Sequence, residues 1–254
     1  MNPVSRSGRR RAIGALAIAL TGCAALPPQE GDIASSAWAK QSGLHPGPGV
    51  SAWSHLGFPG KTPTRFTSVR LDGRATMAVQ ADASASMLRQ QLRIEPNDLG
   101  RVHFSWKVPA LIDGADLASR DGDDAPVRIV LAFEGDRSRF SPRDAALSEL
   151  VRALTGEPMP YATLMYVWCN KSEPGTVIDS PRTDRIRRLV VESGPRRLGR
   201  WVDYERDVRA DYERAFGEKP GALIGIGIMT DSDNTRTHTQ AWYGPLRLVP
   251  VAAR

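Results

Sequence analysis

The sequence predicts an all-β fold, a β-sandwich of jelly-roll type with two short peripheral helices. Three observations lead there. From residue 65 onward the 254-residue chain breaks into about nine short apolar or alternating runs separated by turn residues. Most of the links between them are short enough for hairpins, which favours antiparallel pairing, and no strand–helix–strand rhythm appears. Only two segments carry a helical period with start and stop signals.

Taken in order, Phe66–Leu71 and Ala75–Ala81 flank Leu71-Asp72-Gly73 and read as a hairpin. Ser86–Ile94 is a third run, stopped at Glu95-Pro96-Asn97-Asp98. Arg101–Val108 alternates: Val102, Phe104, Trp106 and Val108 point one way, Arg101, His103, Ser105 and Lys107 the other. His103 therefore reads as a solvent-facing group. Pro109–Ala125 is an acidic loop, and Val127–Phe133 an apolar strand. Ser141–Gly156 reads as a helix, with Ser141 as cap, Pro142 in the first turn and Gly156 at the stop. Ala146, Leu147, Leu150, Val151 and Leu154 predict its buried stripe. Thr163–Cys169 is apolar on both faces, as a covered central strand must be. Arg185–Ser193 holds the next strand. Trp201–Gly217 reads as a lead-in and second helix capped by Asp207, followed by strands at Leu223–Met229 and Ala241–Val249. Gly225 and Gly227 share one face and leave a bare strip for a packed element or a ligand.

The N-terminus carries an address. Arg6, Arg9, Arg10 and Arg11 precede the nine-residue apolar run Ala12–Leu20, far short of the roughly 20 residues a spanning helix needs. Leu20-Thr21-Gly22-Cys23 resembles the bacterial lipobox, which implies cleavage after residue 22 and lipidation of Cys23. The expected organisation is a signal peptide at 1–22, a Pro/Gly-rich tether at 23–63 and a β-sandwich at 64–254. Trp38, Trp53 and Phe58 are candidates to fold back onto that domain. The expected location is the bacterial envelope, lipid-anchored at the outer membrane and facing the periplasm, with the membrane as a partner through Cys23. Without those four arginines the 34 basic residues fall to 30 against 28 acidic ones, too balanced to argue for nucleic acid. No Cx2C pair, phosphate loop or GxGxxG follows a strand. Cys169 reads as a small buried hydrophobe.

Several segments occur in an order and spacing that resemble a bacterial family of secreted proteins catalogued as domain of unknown function 3047. They are Ser105–Val108, Asp123–Arg128, Tyr166–Trp168, Ser193-Gly194, Trp201, Asp211-Tyr212, Ala215–Gly217, Ile226–Thr235 and Ala241–Gly244. The resemblance covers Arg101 to Val249 and implies no activity. Ala145–Tyr161 looks like an insertion against that pattern. The layout is also similar to carbohydrate-binding modules, by fold analogy alone.

The densest cluster of ligand-type groups is Asp231, Ser232, Asp233, Asn234 and Thr235, with Trp242 and Tyr243 nearby. Three readings of it stand. Asp and Asn cap tight turns. Asp231, Asp233 and Asn234, joined by Asp123 or Asp124, offer the hard oxygens a structural Ca2+ takes, although Arg236 and Trp242 break the EF-hand pattern. Carboxylates beside Trp242, Tyr243 or Trp168 suit a glycan or envelope polymer. The acidic run that holds Asp123 and Asp124 reads as a solvated loop, or else the two carboxylates, placed at a strand mouth, face a cation or an arginine such as Arg128. No catalytic residue is signalled, since no GxSxG elbow occurs and His238 is the only histidine near the cluster. The chain therefore reads as a non-catalytic binding lipoprotein for a carbohydrate-like or envelope-derived ligand. The alternatives are a hydrolase of an envelope polysaccharide and an assembly protein with a protein partner. Replacing Cys23→Ser should move the expressed protein from the membrane pellet to the soluble fraction and abolish labelling by radioactive palmitate.

Overall fold

The computed structural model describes residues 30–43 and 50–249. The signal peptide, Cys23 and the first part of the expected tether lie outside them. The described chain forms two facing sheets and four short helices. The strands are β1 (Ser54–Gly57), β2 (Arg65–Leu71), β3 (Arg74–Asp82), β4 (Ala85–Ile94), β5 (Arg101–Lys107), β6 (Ala125–Phe133), β7 (Ala162–Cys169), β8 (Val177–Asp179), β9 (Ile186–Ser193), β10 (Trp201–Asp207), β11 (Leu223–Asp231), β12 (His238–Tyr243) and β13 (Arg247–Val249). The helices are α1 (Glu30–Ser35), α2 (Ala37–Gln41), α3 (Pro142–Thr155) and α4 (Val208–Phe216).

The larger sheet has the order β1-β4-β11-β6-β7-β9-β8, and the smaller β10-β5-β12-β3-β2, with β13 also paired to β5. All pairs are antiparallel except β7 with β9, where the chain returns through β8 before re-entering the sheet in the same direction. The expectation of antiparallel links throughout fails at that one pair. The β2–β3 hairpin turns at Asp72-Gly73, both at positive φ (50° and 77°), the geometry a two-residue hairpin loop requires. The strand lead-in at Trp201–Asp207 was missed by sequence because its alternation is thin: Val202 is its one fully buried apolar residue.

Alternation makes the core. Phe104 and Trp106 of β5, Ile129, Leu131 and Phe133 of β6, Leu164 and Tyr166 of β7, and Ile226 and Ile228 of β11 all meet between the sheets. α4 closes one end: Asp207 accepts from the Ala210 amide at 3.0 Å, and Gly217 ends the helix at φ 69°. Its Tyr212 ring packs on Phe133, centroids 4.7 Å apart.

Two expectations are corrected here. The α3 stripe does not face the core: Leu150 and Leu154 are 55% and 60% exposed, while Asp144 and Ser148 are buried. The helix is held instead by Asp144, which accepts from the hydroxyls of Ser141 and Thr183. The caps at Ser141 and Gly156 are as read from sequence. Second, the folded body extends ahead of residue 64. Trp38 is fully buried and donates to the Gly244 carbonyl at 3.0 Å, its ring stands 4.7 Å from that of Trp53, and β1 extends the larger sheet. Helices of six and five residues are too short to show a period, so only the tryptophans signalled this. Trp38→Ala should cost about 3–5 kcal/mol, read as a lowered urea midpoint at unchanged slope.

Candidate functional site

Along β6 the residues alternate between the core and the outer face of the larger sheet. Val127, Ile129, Leu131 and Phe133 go in; Arg128, Val130 and Ala132 go out. Along β11, Ile226, Ile228 and Thr230 go in, and Gly225, Gly227, Met229 and Asp231 share the outer face. The register pairs these strands directly, Gly227 opposite Val130 and Met229 opposite Arg128. One outer face therefore runs from a charged end, at Arg128 and Asp231, to a small-residue centre at Gly227 and Gly225.

The charged end is closed. Arg128 is buried, and its Nε and Nη2 donate to Asp231 at 2.9 and 3.0 Å. Nη2 also reaches the Asp123 carbonyl at 3.0 Å and its carboxylate at 3.2 Å. Asp231 accepts a further bond from the Ala125 amide at 3.1 Å. The second Asp123 oxygen takes Arg188. Burial opposes the charge on Arg128, yet Asp231 and Asp123 hold it above the ordinary arginine range. Burial pushes the Asp231 carboxyl up to about 6, with Arg128 pulling the other way, so it is ionised at neutral pH. Burial and then the neighbouring Arg128 bring Arg188 down to about 10.

The two acidic corners meet, although more than a hundred residues separate them in sequence. Asp124 caps the turn after β11, accepting from the Asn234 and Thr235 amides at 3.2 and 2.7 Å and from the Thr235 hydroxyl at 2.7 Å. The Asn234 side chain donates to the Arg120 carbonyl at 2.9 Å. Asp233 pairs with Lys61. Ser232 is buried and its hydroxyl has no partner. Carboxylate oxygens of Asp124, Asp231 and Asp233 lie within 4.8 Å of one another. The acidic set that converges thus has Asp124 in place of Asn234. Each carboxylate is already engaged, by Arg128, Lys61 or the turn amides, so a cation would have to displace them.

The aromatic half of the sequence reading does not assemble. Tyr243 lies in the core, its hydroxyl donating to the Met229 carbonyl at 2.6 Å and accepting from the Arg128 amide at 3.2 Å. Trp242 sits between inward-facing Ala241 and Tyr243, so it belongs to the outer face of the smaller sheet, across the sandwich from Asp231. Trp168 is buried and donates to the Gly194 carbonyl at 3.0 Å. Strand alternation decides all three: it sends Tyr243 into the core and Trp242 to the far sheet although both follow the acidic turn closely in sequence, and it turns Trp168 of β7 inward.

Open space lies at the other end of the same face. A groove of about 390 Å3 crosses the centre of the sheet over Gly225 and Gly227. Four of the six methionines, Met87, Met159, Met165 and Met229, line it. Val130 and Ala132 add to the floor, β1 and Phe58 form one wall, and Val151, Thr155 and the Glu157–Pro160 segment the other. Met165 links the two ends, its sulfur 3.8 Å from Arg128 Nη1. Beside the glycines, Arg89 makes a two-point pair with Glu157, both contacts at 2.8 Å. Arg89 holds the Glu157 carboxyl below the usual range. Sequence reasoning reached this region only through the two glycines. The methionines come from three strands and a loop, so no local pattern joins them.

A profile described as Protein of unknown function (DUF3047) matches residues 51–247, which begins well ahead of Arg101. Comparison with curated proteins finds no match. Among solved structures, the chain is similar to the "Xyloglucanase domain of NopAA, a type three effector from Sinorhizobium fredii in complex with cellobiose", at 10% identity and TM-score 0.42. That alignment covers 82% of this chain and 96% of that one.

Asp231→Ala should cost about 3–5 kcal/mol in urea unfolding, because it strands Arg128 without its main acceptor. The exposed Asp121→Ala should stay within about 0.5 kcal/mol.

Proposed function

The chain belongs to the DUF3047 family of proteins of unknown function, and we propose that it is a non-catalytic binding domain whose ligand, derived from the cell envelope, lies in the groove over Gly225 and Gly227. The observation that carries this reading is the lining. A cavity of about 390 Å3 is within the usual size of small-molecule sites, roughly 300–1,000 Å3. Its walls are mainly aliphatic and thioether groups, and Phe58 is the one aromatic ring among the described residues that line it. A sugar site of the stacking kind offers flat rings, so the lining favours the envelope-derived half of the expectation over the carbohydrate half. Methionine suits such a site because its unbranched chain and polarisable sulfur adapt to a partner's shape.

Two points support binding over hydrolysis. Glycoside cleavage of the usual kind needs two carboxylates across the scissile bond, and among the described residues Glu157 is the only carboxylate lining the groove. The carboxylates at the charged end are committed to Arg128, Lys61 and the turn amides. A lipid on Cys23 would hold the domain at the membrane surface, where envelope ligands are at hand. Among the described residues no helix is long and apolar enough to cross a membrane.

The groove is tested by filling it. A Cβ at Gly225 would meet Ala132 Cβ at 3.6 Å and the Gln90 carbonyl at 3.7 Å, ordinary contacts, so Gly225→Val should keep the fold while occupying the floor. The neutral probe N-phenyl-1-naphthylamine should fluoresce on binding the native protein and bind the variant at least about tenfold more weakly. Equal binding to both proteins, or none to the native one, would remove the groove as the site. A glycan array that lights up regardless of the substitution would place a sugar site elsewhere.

A further inference from the structure

We propose that the groove takes an aliphatic chain ending in a carboxylate, and that this carboxylate occupies the position on Arg89 now held by Glu157. The proposal rests on reading the groove as the ligand site, and narrows it to one chemical class. Its starting point is Arg89, the one cationic side chain among the described residues of a mainly aliphatic and thioether lining whose other polar members are Gln91, Thr155, Glu157 and Thr163. Arg89 stands on the outer face of β4 between Met87 and Gln91, and its register partner in β11 is Gly227. With no side chain at Gly227, the Met87 side chain lies over it, the sulfur 2.7 Å from where a Cβ would stand, and Arg89 lines the groove beside it.

The Arg89 fork is already filled in the way a ligand would fill it. Nη1 meets Oε2 and Nη2 meets Oε1 of Glu157, both at 2.8 Å, the parallel arrangement by which a guanidinium recognises a carboxylate. The two partners are held very differently. The arginine side chain is 23% exposed and rises from a paired strand; the glutamate side chain is 52% exposed and follows the glycine that ends α3. That helix is anchored at its other end, through Asp144, and its Leu150 and Leu154 already face solvent. Glu157 can therefore swing away without uncovering core. It acts as an internal stand-in for a ligand's acid group, and a surface ion pair of this kind is weak enough to be exchanged.

The buried arginine at the closed end of this face cannot compete for the same group. Arg128 has its fork filled by Asp231 and Asp123, which belong to the buried framework. The groove thus offers one exchangeable anion position at one place and mainly thioether and aliphatic groups elsewhere. That arrangement selects a single acidic head on a flexible apolar tail. It disfavours a zwitterion with a bulky polar head, and a chain ending in a hydroxyl would leave Arg89 with Glu157.

Displacement of N-phenyl-1-naphthylamine from the full chain tests this, using dodecanoate and dodecanol below their micellar concentrations. On the native protein dodecanoate should displace the probe at a concentration about tenfold lower than dodecanol. Glu157→Gln should strengthen dodecanoate several-fold and leave dodecanol unchanged. Arg89→Gln, with its melting temperature checked against the native protein, should bring the two competitors level. If the alcohol matches the acid on the native protein, or if dodecanoate keeps its advantage in Arg89→Gln, the carboxylate proposal fails while the groove stands. If the probe binds but neither competitor displaces it, the proposal fails for aliphatic chains altogether. If the probe itself does not bind, the underlying reading of the groove fails as well.

Discussion

A charged guanidinium buried in the face of a sheet is the constraint around which this protein is arranged. Arg128 projects from the central strand β6, where neighbouring strands shield it from water on both sides. A cation in that position is tolerable only with anions fixed against it. Asp231 supplies one from the adjacent strand, and Asp123 the other from the loop that leads into β6. Satisfying Arg128 therefore draws the acidic loop onto the sheet. Once there, the next residue, Asp124, is positioned to cap the turn after β11. Two segments far apart in sequence are joined by the requirements of one side chain.

That requirement also uses up the chemistry that looks most functional. Four aspartates gathered at one rim suggest a metal or a sugar site, but three cations and a set of backbone amides already occupy their oxygens. Ligand chemistry then has to be sought where the same face carries no side chain. Gly225 leaves the sheet surface open, Met87 lies over Gly227, and what borders the groove is mainly sulfur and hydrocarbon, with Arg89 paired to Glu157 at its edge. The acidic corner is better understood as framework at the closed end of the face than as a site of its own.

Much of the framework was legible from the residues. Alternation marks β5, and a continuous apolar run marks β7 as a covered strand; serine and aspartate caps with left-handed glycines frame α3 and α4. The convergence of Asp123 and Asp124 with Asp231 and Asp233 was legible as a hypothesis, because acidic loops at strand ends tend to seek cations, and Arg128 was available. Other features left no local trace. Trp242 and Tyr243 are adjacent in sequence and on opposite faces in space, so which of them could reach a ligand depended on a register that sequence alone does not fix. The α3 stripe misled because apolar spacing identifies a helix without saying that anything packs on it. The groove lining was invisible for a different reason: it is assembled across β1, β4, β6, β7 and β11, and only tertiary structure brings those strands together in that order.

Arg128 and Arg89 make the physical distinction sharpest. Both present a fork to carboxylates, and both forks are filled. Arg128 is sealed by groups that cannot leave without exposing buried charge, where removing one partner costs about 3–5 kcal/mol. Arg89 is met by one glutamate from a solvent-exposed segment, in a setting where such pairs are worth about 0.2–1 kcal/mol. The same interaction therefore serves structure at one end of the face and leaves an exchangeable contact at the other. What separates them is how much water each carboxylate regains when it lets go, and on that ground a ligand entering from solvent meets Arg89 as the negotiable partner while Arg128 stays part of the buried framework.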